Sequence, residues 1–155
     1  MESKGFIRNL LGQFATADED HVACSIYDGN QLTDITYPQM LQDVLRAAGF
    51  FVEHHIKNQH IAIAAPNSYN WLVTLYGIMA SGNTAVFLNV ALPADALKAQ
   101  CTQADATVFC CQSNASDELK GIAEDMKLLY LEDITTESPI DLANVYNASD
   151  DETII

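Results

Sequence analysis

Ile61–Val90 reads IAIAAPNSYNWLVTLYGIMASGNTAVFLNV, and its order of apolar runs and punctuation decides the fold. Ile61–Ala65 is a short apolar run stopped by Pro66. Asn67 and Ser68 follow, two residues whose side chains accept hydrogen bonds from the orphan N–H groups at a helix start. Leu72, Leu75, Tyr76 and Met79 then recur at helical spacing, with Trp71, Val73 and Ile78 around them. Gly82 stands where a helix commonly ends in a left-handed residue, and a second apolar run, Ala85–Leu88, comes at once. Strand, helix and strand in about thirty residues form a βαβ unit, whose two strands run parallel. Both strands are apolar on both faces, so helices must cover the sheet on each side.

The segments around this unit extend the alternation. Phe6, Ile7, Leu10, Leu11 and Phe14 predict an amphipathic helix ending near Ala17–Asp20. His21–Tyr27 and Leu32–Ile35 read as two β segments joined by the turn-forming Asp28-Gly29-Asn30. Thr36-Tyr37-Pro38-Gln39 has the form of a capping box, with proline in the first turn where no N–H is missed. The helix it starts presents Met40, Leu41, Val44, Leu45, Ala48 and Val52 as its buried stripe. Gly49 weakens that helix by about 1 kcal/mol relative to alanine, and close packing on the sheet is the expected compensation.

Downstream, Pro93 begins a helix with Asp95 in its first turn and Leu97 and Cys101 on one face. Thr107–Cys111 reads as a third strand. Ser116, Asp117 and Glu118 suit a helix start, with Leu119, Ile122, Ala123 and Met126 at core spacing, and Leu128–Leu131 reads as a fourth strand. Glu132–Asp151 is a polar connection without periodicity, and Thr153-Ile154-Ile155 has the character of another strand's first half. The expected fold is α/β: a doubly wound, mostly parallel open sheet with helices on both faces, plus a small N-terminal β segment. Residues 1–20 form an N-terminal arm and 21–155 the α/β unit.

Of 155 residues, 49% are hydrophobic, enough for one sizeable core. No apolar run approaches the roughly twenty residues of a membrane span, and the first residues lack the pattern of a signal peptide. Four cysteines, Cys24, Cys101, Cys110 and Cys111, show no framework spacing and are expected as buried thiols. A cytoplasmic protein is the resulting expectation. The net charge of −14 is unevenly spread: residues 1–104 hold nine acids against five bases, residues 105–155 twelve against two. Such a balance repels phosphate backbones and anionic membranes.

The residues offer no active site by themselves. Gly77 and Gly82 have the spacing of a Walker loop, but Asn83-Thr84 follows instead of lysine, and both glycines lie at the wrong end of the helix for phosphate binding. No Gly-x-Gly-x-x-Gly occurs. His54, His55 and His60 cluster in sequence, and a solvated helix terminus explains them better than a metal, since no cysteine or carboxylate completes a zinc set. Asn114-Ala115-Ser116 and Asn147-Ala148-Ser149 match a glycosylation pattern that has no meaning in a protein kept inside the cell. The sequence therefore points to no catalytic, cofactor-binding or metal-binding residue.

Resemblance adds more. Ile35-Thr36-Tyr37 ahead of an amphipathic helix resembles the threonine-tyrosine motif of adenylate-forming enzymes, the acyl-CoA synthetases, peptide-synthetase adenylation domains and luciferases. Ile61-Ala62-Ile63 leading into Pro66-Asn67-Ser68 is similar to the family's next segment. Ile78–Asn89 resembles its leucine-lysine-alanine-glycine run leading into valine-proline-leucine-asparagine, and Pro93, Leu97 and Thr107–Cys111 continue in register. The match covers roughly residues 20 to 155 and rests on order and spacing. Gln39-Met40 replaces glutamate-leucine, Ala80 replaces lysine, and Phe87 and Val90 stand where prolines are common.

The resemblance implies the N-terminal part of an ATP-dependent acid–CoA ligase of fatty-acid type. The parent enzyme would use ATP and magnesium to form an acyl-adenylate, then transfer the acyl group to coenzyme A. Asp150–Ile155 looks like the lead-in to the family's phosphate loop, so no catalytic residue is carried over and the isolated chain is expected to be inactive. The alternatives are an adenylation domain loading a carrier protein and a free-standing flavodoxin-like binding module. Self-association is expected if the C-terminal stretch exposes surface covered in the parent, and more so at higher salt.

Overall fold

In the computed structural model, which describes residues 6–27, 29–135 and 138–145, the chain begins with helix α1 (Phe6–Thr16). Its apolar face buries Ile7, Leu11 and Phe14. Strands β1 (Val22–Tyr27) and β2 (Leu32–Thr36) pair antiparallel as a separate two-stranded sheet, the small N-terminal β segment read from the sequence. Of the turn between them, Asp28 lies outside the described residues. Helix α2 (Tyr37–Glu53) starts on the capping box: Gln39 N–H donates to Thr36 Oγ1 (3.4 Å) and Thr36 N–H donates to Gln39 Oε1 (3.0 Å). Two donors that the helix geometry would leave unpaired are thereby satisfied.

Then come β3 (His60–Ala64), α3 (Tyr69–Ala80), β4 (Thr84–Phe87), α4 (Ala94–Gln103) and β5 (Val108–Cys111). Helix α5 (Asp117–Gly121) runs into a 3-10 turn (Ile122–Asp125), followed by β6 (Lys127–Tyr130), α6 (Leu131–Ile134) and a second 3-10 turn (Leu142–Asn144). The four later strands form one parallel sheet in the order β4-β3-β5-β6. The chain leaves β3 for one side of the sheet and returns to the other, which makes it doubly wound.

The two-residue period of the strands sorts the core into two halves. Ile61, Ile63, Ala85, Val108 and Cys110 face α1, α2, α3 and α6. Ala62, Ala64, Val86, Leu88, Phe109 and Cys111 face α4 and the 3-10 turn after α5. The one sizeable core expected from composition is therefore divided by the sheet: Leu75 and Val108 share one half, and Leu88 lies in the other. The odd and even residues of a central strand cannot reach the same face.

The helix boundaries show how far tertiary packing overrides periodicity. Ser68 caps α3 by accepting from Trp71 N–H (3.1 Å), and Gly82 past its end has φ 85°, a left-handed value that costs glycine little. Val52 is 49% exposed, off the buried stripe, because α2 ends over solvent there. Gly49 packs against the Ser138 carbonyl and Ile140 rather than the sheet, so its missing Cβ admits the C-terminal strap, whose Ile140 N–H donates to Leu45 O (3.2 Å). The Ser116–Met126 segment does not stay one helix. Leu131 belongs to α6, not to the fourth strand, and the polar connection after it buries Ile134 and Val145. Thr153-Ile154-Ile155 and Asn147-Ala148-Ser149 lie outside the described residues.

Gly77 has a function the glycine spacing did not suggest. A Cβ there would collide with Ala47 Cβ and lie 3.1 Å from the Ala47 carbonyl carbon and the Ala48 nitrogen. The absent side chain is what lets α2 and α3 cross at near backbone contact. The glycine pair thus serves a helix crossing and a helix end.

Candidate functional site: the groove along the free edge of the sheet

Between Lys57 and Asp95 the sequence holds no Asp, Glu, Lys or Arg, and this uncharged stretch supplies most of a groove along β4. The groove has a volume of about 740 Å³. One wall is β4 and the residues after it, Val86–Val90; another is Ala65, Pro66 and Asn67 at the carboxyl end of β3; the third is Gln100, Gln103 and Ala104 on the last turns of α4. Among the described residues β4 is an edge strand of the sheet, with α4 on one face and no strand paired on its outer side. Crevices at the carboxyl ends of parallel strands are where open α/β sheets place ligands.

The lining is chemically uniform. Four carboxamides, Asn67, Asn89, Gln100 and Gln103, project among Val86, Leu88 and Val90, and none of the lining side chains ionises. Asn89 Oδ1 is engaged in accepting from Ala91 N–H (3.0 Å), which fixes the loop. Across the sheet, Phe87 stacks on Trp71 with centroids 5.6 Å apart and planes at 23°. Such a lining suits neutral, amide-matching or apolar groups. It does not suit a triphosphate with magnesium, and no step of adenylation is assigned to it.

Two further polar clusters hold elements rather than chemistry. Tyr69 OH donates to Asp43 Oδ2 (2.5 Å), tying α3 to α2, and burial together with that carboxylate pushes the phenol well above its ordinary range. At the carboxyl end of β5, Ser113 N–H donates to both Glu132 oxygens (3.2 and 3.1 Å), and Lys120 Nζ donates to Ser113 O (2.7 Å) while lying 5.4 Å from the Tyr130 ring centroid. Burial raises the Cys111 thiol beside them, Lys120 opposing and Glu132 reinforcing the shift. Nothing in sequence spacing could have paired Lys120 with Glu132, which are brought together by β6.

The three histidines do not converge. His54 Nδ1 lies 2.8 Å from Phe50 O with its ring stacked on Phe50 at 4.0 Å. His55 takes a left-handed φ of 56° at the end of α2. His60 Nδ1 lies 2.6 Å from Ala104 O, which makes it the protonated ring nitrogen. No group of three or more metal-ligating side chains occurs among the described residues. Cys101, Cys110 and Cys111 are buried free thiols and Cys24 is half-buried; Cys110 is raised by burial and by Cys111. No helix of the described residues is long and apolar enough to cross a membrane.

The model of the AMP-binding enzyme family matches residues 12–153. The chain belongs to that family. Solved structures agree with this AMP-binding family membership in fold. The N-terminal domain of FACL13 from Mycobacterium tuberculosis superposes with a TM-score of 0.78 at 20% identity, over 99% of this chain and 41% of that one. The O-succinylbenzoate coenzyme A synthetase MenE from Bacillus subtilis, in complex with AMP, gives 0.73 at 17% identity over 84% of this chain and 33% of that one. The nonribosomal peptide synthetase FmoA3 gives 0.74 at 16% identity over 92% and 15%. This AMP-binding family chain thus spans about a third of the length of MenE and a smaller share, 15%, of FmoA3. No curated protein matches it by sequence. The motif residues of the resemblance have structural roles: Thr36 caps α2, Ser68 caps α3, and Asn83 anchors the turn into β4.

Proposed function

We propose that this chain is the N-terminal portion of an ATP-dependent acid–CoA ligase that forms an acyl-adenylate and passes the acyl group to coenzyme A in the cytoplasm. The supporting observation is the family match across residues 12–153, with the βαβ elements in the family's order. On this reading residues 1–20 are an arm and 21–155 a wall of the substrate domain. The acid is of fatty-acyl type, and ATP, magnesium and coenzyme A are handled by residues other than those described. The second reading, an adenylation domain serving a carrier protein, is supported by the likeness to FmoA3.

Cationic groups that clamp a transferring phosphate supply much of the rate in such chemistry, and no lysine or arginine lines the groove. The isolated chain is therefore expected neither to catalyse acid-dependent ATP–pyrophosphate exchange nor to bind ATP and magnesium tightly. Titration calorimetry measures this directly, and a low-micromolar dissociation constant would overturn it. In the intact enzyme, acyl transfer to coenzyme A rather than to a phosphopantetheinylated carrier protein decides between the two readings.

A further inference from the structure

The two edges of the parallel sheet are built differently. The β6 edge starts with the exposed Lys127 and is flanked by Lys120 and Glu132, the kind of charge that keeps edges from pairing. Among the described residues the β4 edge has no such protection. From Thr84 to Ala94 there is no charge, no bulge and no proline before Pro93, and Phe87, Val90 and Leu92 stay 41%, 37% and 36% exposed. Thr84 N–H donates inward to Gln59 O (2.9 Å), so the two-residue period directs the N–H and C=O groups of Ala85 and Phe87 away from β3.

We propose that β4 is a self-association edge, pairing antiparallel with β4 of a second copy about a two-fold axis at Val86. In that register Ala85 of each copy faces Phe87 of the other, and each such pair exchanges both backbone hydrogen bonds, the pattern of an antiparallel ladder. The two four-stranded sheets then form one continuous sheet, with Phe87 and Val90 of both copies closing over the join.

Charge selects both the occupant and the edge. A chain of net charge −14 repels its own copies, and that repulsion is weakest at a surface without carboxylates. Of the other exposed apolar residues, Val22, Tyr27 and Leu32 on the hairpin sit with Asp18, Glu19, Asp20 and Asp34, while Phe6 on α1 and Val52 on α2 are single residues on separate helices. The β4 strip is neutral and self-complementary. The exposed apolar area there is on the order of 200 Å² per copy, well under the roughly 800 Å² per partner of a stable dimer. Association is accordingly weak and reversible. It strengthens with salt, because the Debye length falls from about 30 Å at 0.01 M to about 8 Å at 0.15 M while apolar burial is unaffected.

Sedimentation equilibrium of the 155-residue chain at both salt concentrations, up to hundreds of micromolar, is the test. The expected result is a monomer–dimer equilibrium that tightens with salt, weakened about tenfold or more by Phe87→Lys and by Val90→Lys, each placing a charge on the edge. Leu32→Lys on the hairpin is expected to leave it unchanged. Hydrogen exchange supplies an independent readout, with the Ala85 and Phe87 amides slowing as concentration rises. Circular dichroism confirms that each variant is folded, and either β4 variant alone suffices. A monomer under all conditions, loss of association in Leu32→Lys but not in the β4 variants, or dissociation as salt rises would each overturn the proposal.

Discussion

Replacing Asn83 tests how the turn regions of the βαβ unit are held. Asn83 is 2% exposed, and its amide is fully used. Oδ1 accepts from Gln59 N–H (3.0 Å), while Nδ2 donates to Ile56 O (3.0 Å) and to Ser81 Oγ (2.9 Å), which itself donates to Ile78 O (2.9 Å). One side chain thereby joins the connection entering β3 to the connection entering β4. Asn83→Ala leaves the Gln59 N–H and the Ile56 carbonyl without their partner; Ser81 Oγ keeps one. At about 1–3 kcal/mol for each buried group orphaned, less the rehydration open to half-buried Gln59, the loss is about 2–4 kcal/mol. Asn83→Asp keeps the acceptor for Gln59 but turns a carboxylate oxygen toward the Ile56 carbonyl, so it is expected to cost at least as much at neutral pH. Its carboxyl is then raised above the unfolded value, so the folded variant is penalised as pH rises through that raised pKa. The deficit therefore narrows in acid, where the neutral acid donates one bond. Urea unfolding followed by tryptophan fluorescence, repeated across pH, measures both variants. An alanine variant within about 1 kcal/mol of the parent would refute this reading, as would an aspartate variant whose deficit grows as pH falls.

Gly77→Ala should destabilise by about 1–3 kcal/mol or more, because α2 and α3 must separate to admit the methyl group. Ala47→Gly in the same chain should recover only part of the loss, since backbone atoms of Ala47 and Ala48 also stand 3.1 Å from the new carbon. Full recovery in a double-mutant cycle would mean the backbone contact is immaterial. Leu75→Ala, which opens space in the half-core that Leu75 shares with Val108, should cost roughly 2–5 kcal/mol. An unchanged denaturation midpoint would show that this face of α3 is not packed as described.

The sequence by itself determined the order of elements, because order depends on local signals. Apolar runs bounded by Pro66, Gly82 and Pro93, the capping box at Thr36 and the cap at Ser68 act within a few residues, and each appears in the structure within a residue or two of its predicted place. Family membership was legible for the same reason, being carried by the order of those segments. What only the tertiary structure decided are the relations between residues distant in the chain. The strand order β4-β3-β5-β6 is one, since periodicity says that strands are buried but not which neighbour each one takes. The split of Leu75 and Leu88 into separate half-cores is another. So are the work of Gly77, whose significance lies in Ala47 thirty residues away, and the joining of Lys120 to Glu132 through Ser113. The groove was half legible: the charge-free run from Asn58 to Ala94 is plain in the sequence. That the run ends in an edge strand, with Gln100 and Gln103 brought across from α4, follows from which side of β3 the chain takes on leaving α3, and that is a property of the packed sheet.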